Sequence, residues 1–137
     1  MADAPIQLLE QVPLFTGLPH HDLERVARSF KERHFSAGDT VAAEGSGGVG
    51  FFVIGEGTAS VDVHGEKRAQ LGPGDYFGEI ALIDDQARRT ATITAETDLT
   101  CYGLTSWDFR PLVESNASIA WKLLETLAKR LREAQHR

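Results

Sequence analysis

Short apolar runs separated by glycines occupy the middle of the chain, and they have the periodicity of β-strands. Residues 51–54 are continuously apolar, which is typical of a strand buried on both faces. Residues 58–64 and 89–95 alternate from one face to the other, as strands with one buried face do. Because no long helical pattern separates these runs, they predict a β-sandwich or barrel and not parallel βαβ units.

Helical periodicity flanks this region on both sides. Between residues 5 and 30, apolar side chains recur at spacings of 3 and 4, while residues 107–113 predict a short helix and 117–136 a long one. The 137 residues are one domain's length, for which roughly 100–200 residues are usual. We therefore expect a single domain, 1–137, made of N-terminal helices (1–31), a β region (32–105) and C-terminal helices (106–137).

The long C-terminal helix carries two apolar stripes. The second, formed by Ile119, Leu123 and Thr126, lies to one side of the first. One stripe would pack on the β region while the other forms a homodimer through the 117–134 helix; alternatively, both form one broad buried face. We expect Trp107 and Trp121 to be packing residues. The first stripe has the alternating 3–4 spacing of a coiled-coil seam and consists of Ala117, Ala120, Leu124, Leu127, Leu131 and Ala134.

Composition and charge exclude several classes of function. The formal net charge of −6 argues against direct DNA binding, which needs clustered cations. Cys101 is the single cysteine, so the chain has no internal disulfide and no cysteine-based zinc site, and we expect an inert core thiol. The N-terminus lacks the pattern of a signal peptide, and no apolar run reaches the roughly 18 residues of a membrane helix. These features predict a cytoplasmic protein without a membrane partner.

One stretch carries the chemistry of a binding site. Two glycine turns lead into a tight corner at 77–79, and the next residues fit one helical turn, whose unpaired N–H groups favour anions. Ten residues after Glu79, Arg89 is expected to open a strand with its side chain on the core side. An arginine in that position requires an anionic partner, which is either Glu79 or a bound phosphate. Arg88 is expected to be a solvated loop charge.

At these residues the sequence resembles a known family. Residues 77–82 read Phe-Gly-Glu-Ile-Ala-Leu and residues 89–92 read Arg-Thr-Ala-Thr. This pattern is similar to the phosphate-binding cassette of the cyclic nucleotide-binding domain found in catabolite-activator-type regulators, protein kinase A regulatory subunits and cyclic nucleotide-gated channels. The resemblance implies a mainly β fold with flanking helices: an eight-stranded jelly-roll β-barrel, an N-terminal helix and two C-terminal helices, with the cassette at 77–92.

The resemblance also implies a role for each cassette residue. Arg89 would pair with the exocyclic oxygens of a cyclic phosphate, and Glu79 would accept a hydrogen bond from the ribose 2′-OH. Gly78 would let the backbone approach the sugar. The backbone N–H groups of Ile80 and Ala81 would help to hold the phosphate.

Further contacts are implied around the cassette. The hydroxyl of Thr90 would reach the same phosphate, although strand alternation turns it away from the face of Arg89. Gln135 would read a base edge, since its amide both donates and accepts. Apolar walls for the base would come from Val61, Val63, Phe77, Leu82 and Ile93. The implied ligand-binding residues are Phe77, Gly78, Glu79, Ile80, Ala81, Arg89, Thr90, Ala91, Val61 and Gln135.

The expected function is that of a sensor module. It binds a cyclic nucleotide, cAMP in preference and cGMP as the alternative, and signals through its C-terminal helix to an unknown effector. The sequence shows neither a metal-ligand cluster nor a nucleophile–base pair, so we expect no enzymatic activity, no metal and no cofactor. Two alternatives stay open: a non-binding family member that serves as a protein-interaction or dimerisation domain, and a metal-dependent jelly-roll enzyme. Whether the chain acts alone or within a larger regulator, kinase or channel is also left open.

Overall fold

Two four-stranded antiparallel sheets lie at the centre of the computed structural model, which describes residues 4–45, 50–84 and 88–135. Helices α1 (Ile6–Glu10) and α2 (His20–Ser29) precede the strands, and α4 (Ser106–Glu114) and α5 (Ala117–Gln135) follow them. The strands are β1 (Lys31–Phe35), β2 (Thr40–Ala42), β3 (Gly50–Glu56), β4 (Ala59–Val63), β5 (Glu66–Leu71), β6 (Tyr76–Phe77), β7 (Thr92–Ala95) and β8 (Leu99–Thr105), with the short helix α3 (Ile80–Ile83) between β6 and β7.

The order of the strands confirms a mainly β fold with flanking helices. One sheet has the order β1-β8-β3-β6 and the other β2-β7-β4-β5. The eight strands predicted are present among the described residues, but they form two separate sheets, so hydrogen bonds do not close the barrel that the resemblance implied. The fold is therefore a pair of facing antiparallel sheets with helices at one side.

Strand β3 separates two cores, which explains its continuous apolar sequence. Phe51 and Val53 pack among the helices, while Ile54 and the half-buried Phe52 pack between the sheets. The strand is thus buried on both faces, as predicted. In the helical core, Phe15 lies edge-on to the rings of Phe30, Phe51 and Phe109, with centroids 6.0–6.4 Å apart. Such edge-to-face pairs are favourable arrangements of aromatic side chains.

Strand β7 begins later than the alternation predicted. Its first residue is Thr92, so Arg89 lies in the preceding loop and not within the strand. The loop is fixed by the turn that follows β2, where the Gly45 N–H donates to the Arg89 carbonyl at 2.8 Å and the Glu44 N–H donates to Thr92 Oγ1 at 3.0 Å. These hydrogen bonds replace a regular ladder and hold Arg89 in position.

Helix α5 presents its two apolar stripes to different environments. Ile119 and Leu123 are buried in the helical core, whereas Leu124, Leu127 and Leu131 remain 57%, 38% and 61% exposed. The alternative in which both stripes form one broad buried face is therefore wrong. The stripe with heptad spacing faces outward. The expectation that both tryptophans are packing residues is also wrong, because Trp107 is 63% and Trp121 65% exposed.

Cys101 is fully buried, and desolvation raises the pKa of its thiol to about 11, so the predicted inert core thiol is confirmed. Among residues 4–45, 50–84 and 88–135, no helix is both long and apolar enough to cross a membrane.

Candidate functional site

The Phe-Gly-Glu corner joins β6 to α3, and its backbone adopts a conformation that favours glycine at position 78. Gly78 has φ +86°, a region that other residues adopt only with strain. The predicted helical turn is confirmed as α3, which begins with Ile80 and Ala81. Residues 85–87 of the predicted 77–92 cassette lie outside the described residues.

Arg89 lies beside this corner and is half-buried. Its Nη2 donates a hydrogen bond of 2.7 Å to the carbonyl oxygen of Gly50 at the start of β3. Desolvation by burial lowers the pKa of the guanidinium. Within the described residues Arg89 forms no ion pair, so the alternative in which Glu79 is its partner is wrong. The adjacent Arg88 is exposed, as predicted for a solvated loop charge.

The absence of a side chain at position 78 makes room for the Arg89 guanidinium. A Cβ on Gly78 would overlap the Arg89 guanidinium and would lie 2.5 Å from the Gly50 carbonyl oxygen. Position 78 is therefore closed to larger residues by both backbone conformation and contact. The Arg89 guanidinium therefore lies against the main chain at Gly50 and Gly78.

Glu79 is bound by a residue that the sequence analysis did not select. Its Oε1 lies 2.7 Å from Nη1 of Arg130 on α5, and Nη2 of Arg130 lies 3.5 Å from the Tyr76 hydroxyl. The hydrogen bond with Glu79 raises the pKa of Arg130. The second carboxylate oxygen of Glu79, Oε2, is buried and has no hydrogen-bond partner among the described residues. One oxygen of Glu79 thus anchors α5, and the other is a buried acceptor without a donor in the described residues.

Arg130 could have been found from its spacing along α5. Ile119, Leu123 and Thr126 form the stripe that faces the domain, and Arg130 continues that stripe four residues further on. A cation at the end of a buried apolar stripe requires a partner. The identity of that partner, Glu79, depends on tertiary structure and was not predictable from helix spacing.

The apolar residues predicted around the ligand lie mostly against the core between the sheets. Phe77 stacks on Phe52, with ring centroids 5.2 Å apart and planes 23° apart. Val61 and Ala91 are half-buried against the same core. Leu82 departs from the prediction, because it packs in the helical core.

Two predicted polar contacts are not brought to the site. Thr90 is exposed in the loop before β7, in line with the alternation that turned it away from Arg89. Gln135 is exposed at the last turn of α5, beyond Arg130. The structure therefore brings together Gly78, Arg89 and the Gly50 carbonyl, and separately Glu79, Arg130 and Tyr76.

The charged side chains at this corner are mostly cationic. No group of three or more His, Cys, Asp or Glu side chains in the described parts of the chain is placed to hold a metal ion. The charged groups at the corner are one guanidinium without a carboxylate partner in those parts and one carboxylate already bound by a second guanidinium. Two arginines against one glutamate leave the site with excess positive charge, which suits a ligand bearing a single negative charge.

Comparison with known proteins agrees with this geometry. The family model described as cyclic nucleotide-binding domain matches residues 32–116. A cyclic nucleotide-gated potassium channel of Mesorhizobium japonicum is 36% identical over 124 residues, which cover 90% of this chain and 34% of the channel. A cAMP-dependent protein kinase regulatory subunit of Eremothecium gossypii is 39% identical over 92 residues, which cover 66% of this chain and 20% of the subunit. The chain thus spans about a third or less of these relatives.

Solved structures show the same likeness. The N-terminal domain of a transcriptional regulator from Streptomyces coelicolor superposes with a TM-score of 0.86 at 29% identity, covering 93% of this chain and 94% of that one. The catabolite activator protein of Thermus thermophilus gives a TM-score of 0.74 at 31% identity, covering 90% and 60%. Sequence, fold and cassette agree, and the chain belongs to the cyclic nucleotide-binding domain family.

Proposed function

We propose that this domain binds a 3′,5′-cyclic nucleotide, cAMP in preference and cGMP as the alternative, and transmits binding through α5. The observation that carries the proposal is Arg89, a half-buried guanidinium held by a backbone carbonyl beside a glycine corner. A half-buried arginine without a carboxylate partner in the described residues has charge and N–H groups to offer an anion. A cyclic phosphodiester carries one negative charge, which one arginine neutralises.

Glu79 supports a ligand that contains ribose. Its Oε2 is buried and accepts no hydrogen bond within the described residues, so a hydroxyl donor would satisfy it. In a 3′,5′-cyclic ribonucleotide the 2′-OH is the free sugar hydroxyl, and it is absent from the 2′-deoxy analogue. Glu79 would therefore select ribose over deoxyribose.

The route to α5 begins at the same carboxylate. Because Arg130 of α5 binds Oε1 of Glu79 at 2.7 Å, a ligand that engages Oε2 changes the charge and position of the group to which α5 is anchored. The ligand can shift α5 only by its differential affinity for the two arrangements. The signal would pass to an effector that the chain does not identify.

The proposal assigns the domain a regulatory and not an enzymatic role. Its family relatives include a protein named as a kinase regulatory subunit and one named as a gated channel. The free, buried Cys101 suits a reducing compartment, and we place the protein in the cytoplasm. The non-binding alternative, an interaction domain, makes the opposite prediction in a direct binding experiment.

Isothermal titration calorimetry with cAMP, cGMP, 2′-deoxy-cAMP and 5′-AMP tests the proposal. We expect one cyclic nucleotide per chain and weaker binding of both analogues, because one lacks the hydroxyl for Glu79 and the other carries an open phosphate with additional charge. Glu79→Gln should weaken the binding of cAMP and remove most of the difference in affinity between cAMP and 2′-deoxy-cAMP. Absence of binding heat with both cyclic nucleotides, confirmed by equilibrium dialysis, would favour the non-binding interaction domain.

Comparing Gly78→Ala with a control glycine distinguishes the effect of displacing Arg89 from the effect of backbone strain. Gly38 is the matched control, because it also has positive φ (+93°) but nothing within 4 Å of an added Cβ. Both substitutions should lower the free energy of unfolding by about 1–2 kcal/mol through the left-handed backbone. Only Gly78→Ala should also displace Arg89 and weaken cAMP binding, by at least about tenfold. Urea unfolding and calorimetry measure the two effects, and equal binding by both variants would show that Gly78 has no part in the site.

A further inference from the structure

We infer that Phe52 is a positioning residue for the corner that would hold the cyclic phosphate. Its ring adjoins Gly50, whose carbonyl binds Arg89, and it stacks on Phe77, the first residue of the Phe-Gly-Glu corner. Phe52 has no role among the ligand contacts implied for the cassette. The inference deepens the proposed function and rests on it wherever nucleotide affinity is the quantity measured.

Strand β6 is short and depends on β3 for its position. It has two residues, and its second ladder pair joins Phe77 to Phe52. The turn at 72–75, which precedes β6, is also bound to β3 by backbone hydrogen bonds of 2.8 Å. The pair at Phe77 is therefore the last described step of the ladder, and the corner begins directly after it at Gly78.

The two side chains of this last pair are stacked. The ring centroids of Phe52 and Phe77 lie 5.2 Å apart, and the ring planes differ by 23°. Both side chains are half-buried and pack against the core between the sheets. Cross-strand aromatic pairs stabilise the pairing of the strands that carry them. The stack thus reinforces β6 at the point where its described ladder with β3 ends.

Backbone without side chains surrounds the Phe52 ring on β3 and β8. The cross-strand partner of Phe52 on β8 is Gly103. A Cβ on Gly103 would lie 2.8 Å from Cε1 of Phe52, and a Cβ on Gly50 would lie 3.1 Å from Cε2. The ring therefore occupies the space that side chains at both positions would need. An aromatic ring over a cross-strand glycine protects the backbone there, and that backbone fixes the position of the ring.

These contacts reach the Arg89 site through Gly50. The Gly50 carbonyl accepts the 2.7 Å hydrogen bond from Nη2 of Arg89. A Cβ on Gly78 would lie 2.5 Å from the same carbonyl oxygen, so β3 and the corner meet at this point. Because Phe52 adjoins Gly50 and stacks on the residue before Gly78, the size of its ring sets how closely the two segments approach. A smaller side chain would leave a cavity, and β6 would shift relative to the Gly50 carbonyl.

Phe35 provides a matched control for Phe52. It is also half-buried and packs against the same core between the sheets. It lies on β1, at the opposite edge of the sheet from β6, and it pairs with Leu99 of β8. The same substitution at the two positions therefore removes similar packing, whereas Phe52 additionally supports β6.

Titration calorimetry with cAMP compares Phe52→Leu with Phe35→Leu. Both variants should lose similar stability in urea, but Phe52→Leu alone should weaken cAMP binding, by about tenfold, the scale of one aromatic pair. Arg89→Lys provides a background without the bidentate fork. In that background Phe52→Leu should weaken cAMP binding by less than about threefold, because Phe52 acts through Arg89.

Two results of this titration would overturn the positioning role. One is equal weakening of cAMP binding by Phe52→Leu and Phe35→Leu. The other is the same loss of affinity from Phe52→Leu in the parent and in Arg89→Lys, which a purely structural role would produce. If Phe52→Leu does not fold, Phe52→Met replaces it, since methionine fills most of the space without stacking.

Amide hydrogen exchange of the ligand-free chain tests the inference without nucleotide. Exchange over residues 76–79 should be faster in Phe52→Leu than in the parent and unchanged in Phe35→Leu. Parent-like exchange there in Phe52→Leu would overturn the inference, even if cAMP binds. Faster exchange confined to Phe52→Leu would support the positioning of the corner even if the parent binds no cyclic nucleotide, a result that would defeat the proposed function alone.

Discussion

Replacing Arg89 by alanine is expected to weaken cAMP binding by roughly 10²–10⁴-fold. The guanidinium is half-buried against the Gly50 carbonyl and has no carboxylate partner among the described residues, so it is available to the phosphate. Removing one partner from a buried charge pair costs about 3–5 kcal/mol, because the phosphate is left desolvated and unpaired. At about 1.4 kcal/mol per tenfold change, this gives the expected loss of affinity. Calorimetry, or competition with a fluorescent cAMP analogue, measures it.

Arg88→Ala is the matched control for this experiment. Arg88 has the same charge, is adjacent in sequence and is exposed, so its removal should change affinity by less than about 1 kcal/mol, mainly through salt-sensitive attraction. Arg89→Lys should lie between the two, since an ammonium loses the bidentate fork. Loss of binding in Arg88→Ala but not in Arg89→Ala would show that the wrong arginine is assigned to the phosphate. Parent-like binding by both variants would remove the phosphate from this corner.

Patterns with a local physical cause were predictable from the sequence. The continuous apolar run at 51–54 predicted a strand buried on both faces, and β3 indeed separates two cores. The two stripes of the C-terminal helix predicted one inward and one outward face, and the exposure of Leu124 beside the burial of Leu123 confirms that reading. In each instance the side-chain period of the element determines which residues are buried.

Partners chosen by tertiary contacts were not predictable in the same way. Spacing placed Glu79 and Arg89 in one motif and left open whether Glu79 or a bound phosphate is the partner of Arg89. In the structure Arg89 binds a carbonyl of β3 and Glu79 binds Arg130 of α5, two partners that are distant in sequence. The alternation that began β7 at Arg89 also failed, because hydrogen bonds from residues 44 and 45 replace the ladder there. The side-chain periodicity of a strand or helix predicts which face of the element a residue lies on. It does not predict which group, distant in sequence, that residue contacts.

Replacing Arg130 by alanine breaks the link between Glu79 and α5, and this is the second substitution for which we expect a large loss of cAMP affinity. Arg130 holds Oε1 of Glu79 at 2.7 Å, and Oε2 is buried without a hydrogen-bond donor in the described residues. Without it, the carboxylate is free to turn away or to take up water. Hydrogen bonds to charged groups contribute about 1.5–3 kcal/mol, and partial exposure of both side chains reduces this to about 1–2 kcal/mol. We therefore expect cAMP to bind roughly 5–30-fold more weakly, with faster amide exchange over 126–135 that ligand no longer slows.

Ligand analogues distinguish this role from a general loss of stability. If Arg130 acts by positioning Glu79, the substitution should weaken binding of cAMP more than binding of 2′-deoxy-cAMP, because only cAMP offers a 2′-hydroxyl to Oε2. Arg132→Ala removes a neighbouring exposed cation from the same helix and should leave both affinities and the exchange pattern unchanged. Equal weakening of the two nucleotides by Arg130→Ala would contradict a positioning role. Ligand-dependent slowing of exchange that persists in α5 of this variant would show that the signal reaches the helix without the Glu79–Arg130 pair.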